Sequence, residues 1–184
     1  MQTELVERAR RGDREAFGVL ASRSVDRLYA VARLSLRDAD LAEDAAQETL
    51  VRAWRDLRTL RDPDRFEAWL YRILLRCCAE LGRDRRRHQA GLAVLPVEPT
   101  IGDAAPDMAG RDELERGLRR LPLDQRTLLV LRFYLDLPVR DVADVLGIPI
   151  GTVKSRLHYA LEAMRAALEA EARQAAPLRE GRPA

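Results

Sequence analysis

Lys154, Ser155 and His158 recur at spacings of three and four residues, which sets an ammonium, a hydroxyl and an imidazole on one side of a helix. Together these groups can hydrogen-bond to base edges and phosphates. They are not a catalytic set, and elsewhere the chain offers no Ser/His/Asp arrangement, no carboxylate pair with an evident pocket and no Gly-rich phosphate loop. Cys77 and Cys78 are neighbours in an apolar helical run. Vicinal cysteines bridge poorly, and no spaced histidine completes a metal site, so the pair reads as small core filling. Neither catalysis, nor a metal, nor a cofactor is expected.

A second cluster sets Phe66, Trp69 and Tyr71 among Arg65, Arg72 and Arg76, with Arg83, Arg85, Arg86 and Arg87 following. Aromatic planes among cations suit an unpaired base and its phosphates. The spacing of Phe66, Trp69, Leu70 and Ile73 equally suits a core face, and for Trp69 the core is the stronger reading. Four arginines within five positions repel one another unless a polyanion relieves them, which favours nucleic-acid contact over an idle surface. A third pattern lies upstream. Ala46, Leu50, Trp54 and Leu57 form an apolar stripe, and Asp44, Glu48, Arg52 and Arg55 form a polar one with Gln47 beside it. That polar stripe is either a solvated face with an i,i+4 pair between Glu48 and Arg52 or a ridge for docking another protein.

These side chains need helices to position them. Val139, Val142, Ala143 and Leu146 make one apolar face, Gly147 sits where positive φ ends a helix, and Pro149 suits the first turn of the next. In that next helix Val153, Leu157, Ala160, Leu161 and Met164 share the buried face, so Lys154, Ser155 and His158 point outward. Two short helices joined in this way form a helix-turn-helix, whose second member can lie in the major groove of DNA.

Along the chain, helix breaks fall near Gly12-Asp13, Arg37-Asp40 and Arg61-Asp64 within a first helical block ending at His88. Residues 89 to 111 hold Pro96, Pro99, Pro106 and three glycines without helical period and read as a linker. A second helical block runs from 112 to 173, and 174 to 184 read as a frayed tail. The fold class expected is all-α, with two small domains in 184 residues. The net charge of +2 excludes a generally basic nucleic-acid coat, so DNA affinity depends on where the charges sit. Of 32 basic residues, Lys154 is the single lysine. No apolar run approaches a membrane span and the N-terminus lacks a signal-peptide pattern, so a soluble cytoplasmic protein is expected, without membrane insertion.

The order and spacing of these motifs resemble the extracytoplasmic-function (ECF) sigma factors of the sigma-70 family, bacterial transcription factors that keep only the sigma-two and sigma-four domains. The resemblance runs from about Leu5 to Leu168 apart from the linker. Residues 44 to 55 look like the segment that docks on the clamp helices of the largest RNA polymerase subunit, and 66 to 73 like the promoter-melting segment. Residues 121 to 132 and 146 to 157 look like the sigma-four scaffold and its recognition helix. The resemblance therefore implies that Asp44, Gln47, Glu48, Arg52 and Arg55 meet the polymerase clamp. Arg61, Asp62, Asp64 and Arg65 would hold a base flipped from the non-template strand of the minus-ten element. Phe66, Trp69, Arg72, Arg76, Arg83 and Arg86 would lie along the opening duplex. Lys154, Ser155, His158 and Tyr159 would face the minus-thirty-five element, with Thr152 and Arg156 on phosphates.

The implied partners are RNA polymerase core, including its flap region for the C-terminal domain, promoter DNA and an anti-sigma factor. Two departures alter the inherited specificity. Arg76 stands where asparagine is common, and Tyr159 stands where arginine is common, which removes a candidate bidentate contact to guanine. Glu98, Asp103 and Asp107 against Arg111 make the linker acidic, suited to a basic nucleic-acid channel. The rival readings are a helix-turn-helix regulator that never enters the polymerase and a helical adaptor that binds only protein.

Overall fold

The structure is a computed structural model and describes residues 1–91 and 117–175. Every regular element among them is helical, as expected. The linker proper and the end of the tail lie outside the described residues.

Four helices build the N-terminal half: α1 (Gln2–Arg10), α2 (Arg14–Leu36), α3 (Ala39–Asp56) and α4 (Phe66–Gly91). Each break has a local cause. Gly12 takes φ +98, and Asp13 then caps α2 by accepting from the Ala16 N–H at 3.0 Å. Arg37 ends α2 in the left-handed region at φ 62, and Asp38 caps α3 through the Leu41 N–H at 3.0 Å. Between α3 and α4 the chain makes two short 3₁₀ turns, Leu57–Thr59 and Pro63–Arg65, the second opened by proline. Val6, Leu28, Val31, Leu57, Phe66 and Leu74 fill the core between these helices, and Cys77 and Cys78 are buried among them. Burial pushes the Cys78 thiol up to about 12, so it is an inert filler.

The C-terminal half consists of α5 (Leu123–Leu129), which loosens into a π-helical turn at Val130–Tyr134, then α6 (Val139–Leu146) and α7 (Ile150–Ala175). Its core holds Leu128, Leu131, Val142, Val145 and Val153. Two expectations need correction here. Leu161 is 45% exposed, because Ala160 and Met164 already complete the buried arc of α7. Val145, not part of the expected stripe of α6, is buried to 1%. In α3 the buried stripe is made by small residues, Ala42, Ala45, Ala46, Thr49 and Ala53, which let α2 and α4 approach closely. Trp54 is displaced to the rim of that stripe, 37% exposed, with its ring 5.0 Å from that of Phe17.

The two halves pack against each other, α2 on α5 and α4 on α6. Two arginines exchange places across the seam. Arg126 of α5 donates to the Ser35 carbonyl at the end of α2, and also to Leu118 O at 3.0 Å and Leu121 O at 2.8 Å. Arg37 returns a bond to Arg119 O at 2.8 Å. Each half thereby satisfies carbonyls that the other half's helix ends leave open. Arg126 is buried with carbonyls alone as partners, and that desolvation pushes its guanidinium down to about 10.

Candidate nucleic-acid interface

The helix-turn-helix forms as its residues dictate. Gly147 takes φ 67, and its N–H and that of Ile148 both reach the Ala143 carbonyl, the latter at 3.1 Å. Pro149 precedes α7 and its carbonyl receives the Val153 N–H at 3.1 Å. Val153 and Leu157 face inward, which leaves Lys154, Ser155, Arg156, His158 and Tyr159 exposed, with Thr152 half-buried. Ser155 is held by its hydroxyl donating to Thr152 O at 3.1 Å. His158 stands 3.5 Å from Glu162, with its ring against Tyr159. Among the described residues Lys154 and Arg156 have no acidic partner, so both cations are available to a polyanion.

The second surface surrounds the loop before α4. Leu57 and Leu60 anchor it in the core, while Arg61, Asp62, Asp64 and Arg65 are exposed. Asp62 accepts from the Asp64 N–H at 3.0 Å, and Asp64 accepts from the Thr3 hydroxyl of α1 at 2.6 Å, so the loop is braced from within and from outside. Phe66 is 2% exposed and packs into the core, so its ring offers no face for stacking. Trp69 is half-buried. What reaches solvent on this side of α4 is cationic: Arg72 and Arg76, one helical turn apart.

Two of these arginines are engaged. Arg65 pairs with Asp144 of α6, and Arg72 donates to the Asp144 carbonyl. The loop 61–65 and the first turns of α4 thus touch the first helix of the helix-turn-helix. The later arginine cluster also resolves into two kinds of residue. Arg85 pairs with Asp38 and Arg87 with Asp84, while Arg83 and Arg86 are exposed without an acidic partner among the described residues.

On α3 the polar stripe is present, and the Glu48–Arg52 pair forms at 2.6 Å. Arg52 is also held by Glu80 of α4 at 2.8 Å, and the two carboxylates raise its pKa. Arg52 therefore braces α3 on α4 as well as lining the ridge. Asp44, Gln47 and Arg55 are exposed, with Arg55 on Asp56 at 2.9 Å. Val51, 61% exposed, sits among them, an apolar centre that the charge pattern of the sequence did not single out. The seam residues Arg37, Arg126 and Asp144 were also missed. The one signal available was Arg126, a charge two residues before the apolar run Leu128 to Leu131.

Comparison with known proteins agrees with this division. The family model for Sigma-70 region 2 matches residues 20–88, and that for Sigma-70, region 4 matches residues 111–164. The RNA polymerase sigma-H factor of Pseudomonas aeruginosa is 35% identical over 185 residues, covering 94% of this chain and 96% of its own. Among solved structures, CnrH in complex with the cytosolic domain of CnrY superposes with a TM-score of 0.69 at 29% identity, over 92% of this chain and 97% of that one. The sigma factor RpoE in complex with the anti-sigma factor NepR from Bartonella quintana gives a TM-score of 0.70 at 27% identity, over 83% and 96%.

Proposed function

Since the chain belongs to the sigma-70 family, among its extracytoplasmic-function members, we propose that it binds RNA polymerase core and directs promoter-specific initiation through minus-thirty-five and minus-ten elements. The observation that carries this reading is the pairing of an exposed recognition surface on α7 with the braced loop 61–65 in the same chain. The recognition surface suits duplex DNA, and the loop suits a base removed from the stack. The ridge of α3, with Val51 at its centre and Asp44, Gln47, Glu48, Arg52 and Arg55 around it, docks on the clamp helices. The flap region receives the C-terminal half.

Each DNA contact alone is modest. A good bidentate base contact discriminates by roughly 1–3 kcal/mol. Flipping one base costs a few kcal/mol. Polymerase fixes both domains at once, so the second contact becomes effectively intramolecular and the two energies act together. In this reading the closed seam is released on engagement, because Arg65 and Arg72 cannot hold Asp144 and a DNA strand together. An anti-sigma factor is the further partner; the similar RpoE structure contains the anti-sigma factor NepR, and the similar CnrH structure contains the cytosolic domain of CnrY. The place of work is the cytoplasm, and the protein's part is binding, with no chemical step.

The test is transcription in vitro from a pool of promoter fragments, using bacterial core polymerase with and without the protein, with transcript starts sequenced. New starts sharing two upstream motifs are expected. DNA binding without new starts would replace this reading by that of a regulator acting outside the polymerase.

A further inference from the structure

Arg10 and Arg11 at the end of α1 converge with Arg58 of the first 3₁₀ turn on an open groove of about 320 Å³, with Glu7 on its wall. The charges there do not balance. Arg11 reaches Glu7 only at 4.0 Å, and Arg10 and Arg58 have no acidic partner among the described residues. The contrast with Arg8 is informative, since that arginine turns the other way and pairs with Asp13 at 2.7 Å. A helix end attracts basic side chains to its carbonyls. That accounts for arginines on α1 and not for a third brought up from another element.

The groove also has a definite address. Arg58 stands between the ridge of α3 and the loop 61–65, and α1 packs on both 3₁₀ turns while Thr3 holds Asp64. From Thr3 to Arg10 is seven residues of helix, about 10 Å. A nucleic-acid strand covers that with about three phosphates, even at the compressed duplex spacing of ~3.4 Å per strand charge. α1 lies outside the span matched by the region 2 model, 20–88.

We propose that the Arg10–Arg11–Arg58 groove binds backbone phosphates of the single DNA strand whose base is held by the loop 61–65, a proposal that rests on the promoter-opening reading above. The groove recognises charge and not sequence, because the guanidinium groups on its wall have phosphates as their natural partners and no aromatic side chain lines it to stack a base. It extends the footprint on the melted strand past the captured base and steadies that base by tethering its neighbours.

The test uses the full chain bound to core polymerase and a fluorescein-labelled non-template strand, taken from the melted region of a promoter mapped in the transcription assay. Binding is titrated across a salt series for the wild type, for Arg10→Gln with Arg58→Gln, and for Arg10→Lys with Arg58→Lys. Loss of two phosphate contacts lowers the salt slope by about 1.4, since each single-strand contact contributes about 0.7. Relative to a 1 M reference, that corresponds to roughly 25-fold weaker binding at about 0.1 M salt. Base preference and polymerase affinity should be unchanged, and the lysine pair should restore the slope. Thermal unfolding checks that the glutamine pair is folded.

An unchanged slope and affinity in the glutamine pair, with the wild type binding normally, would overturn the proposal. So would a loss confined to polymerase binding, which would make the groove a protein contact. A wild type that binds no strand at all removes the promoter-opening reading itself, a separate result.

Discussion

Gly82 offers the most direct test of whether the two halves compete with DNA for Arg65 and Arg72. It lies in α4 at the seam, and a Cβ there would stand 3.3 Å from a methyl of Leu123 across the seam and 3.7 Å from one of Leu36 in its own half. Alanine requires only a small shift of Leu123. Leucine adds three more carbons against the same neighbours, and overpacking of this kind costs about 1–3 kcal/mol. Replacing glycine inside a helix also returns about 0.8–1 kcal/mol. That gain applies to α4 whether the seam is closed or open, so it raises overall stability without changing the balance between the two arrangements. The overpacking against Leu123 acts on the closed arrangement alone, while any against Leu36 is common to both, so the balance shifts toward the open arrangement by at most roughly 5- to 150-fold. If the closed arrangement dominates in the free chain, Gly82→Leu should raise affinity for single-stranded DNA by up to that factor. Small-angle scattering should report an increased radius of gyration, and Gly82→Ala should stay close to wild type. A folded Gly82→Leu protein with wild-type radius and wild-type strand affinity would refute the competition.

Three further outcomes follow from local geometry. Gly147→Ala should destabilise the C-terminal half by about 1–2 kcal/mol in urea unfolding, a backbone cost alone, because φ is 67 and nothing lies within 4 Å of the added Cβ. Asp13, whose carboxyl is held below its ordinary value by the Ala16 N–H and then by Arg8, should contribute fully above about pH 3.9 and lose its contribution as pH falls through its lowered native value. Asp13→Asn keeps the cap but should flatten that acid limb, and melting curves across pH decide it. Arg55→Ala should weaken binding to core polymerase with unchanged melting temperature, whereas Arg52→Ala should lower the melting temperature as well, because Arg52 also holds Glu80.

What the sequence made legible was local. Gly147 and Pro149 mark the helix-turn-helix through their own backbone preferences, and Glu48 finds Arg52 because a helix brings such residues together. Contacts between distant residues left no comparable trace. Nothing in the spacing around Arg65 points to Asp144, and nothing around Arg52 points to Glu80, since those pairs exist only once α4 has packed. The stripe expected on α3 holds in part, since Ala46 and Leu57 are buried and Leu50 packs against the core, while Trp54 stands at the rim. The close approach of three helices is made by alanines, which carry little hydrophobic signal of their own. Phe66 had the right neighbours for a stacking platform, yet its position at the start of α4 turns its ring into the core.

The exposed Lys154 on α7 has a practical consequence beyond recognition. With arginine at every other basic position of the sequence, the side chain of Lys154 is the only ammonium the chain presents besides its terminal amine. Acetylation aimed at lysine would therefore remove charge at one side chain alone, on the helix proposed to read the minus-thirty-five element. For the same reason an amine-directed fluorophore or photocrosslinker has one side-chain target, on the proposed recognition helix, and the terminal amine as its other target, so a probe reaches that helix without any engineered cysteine.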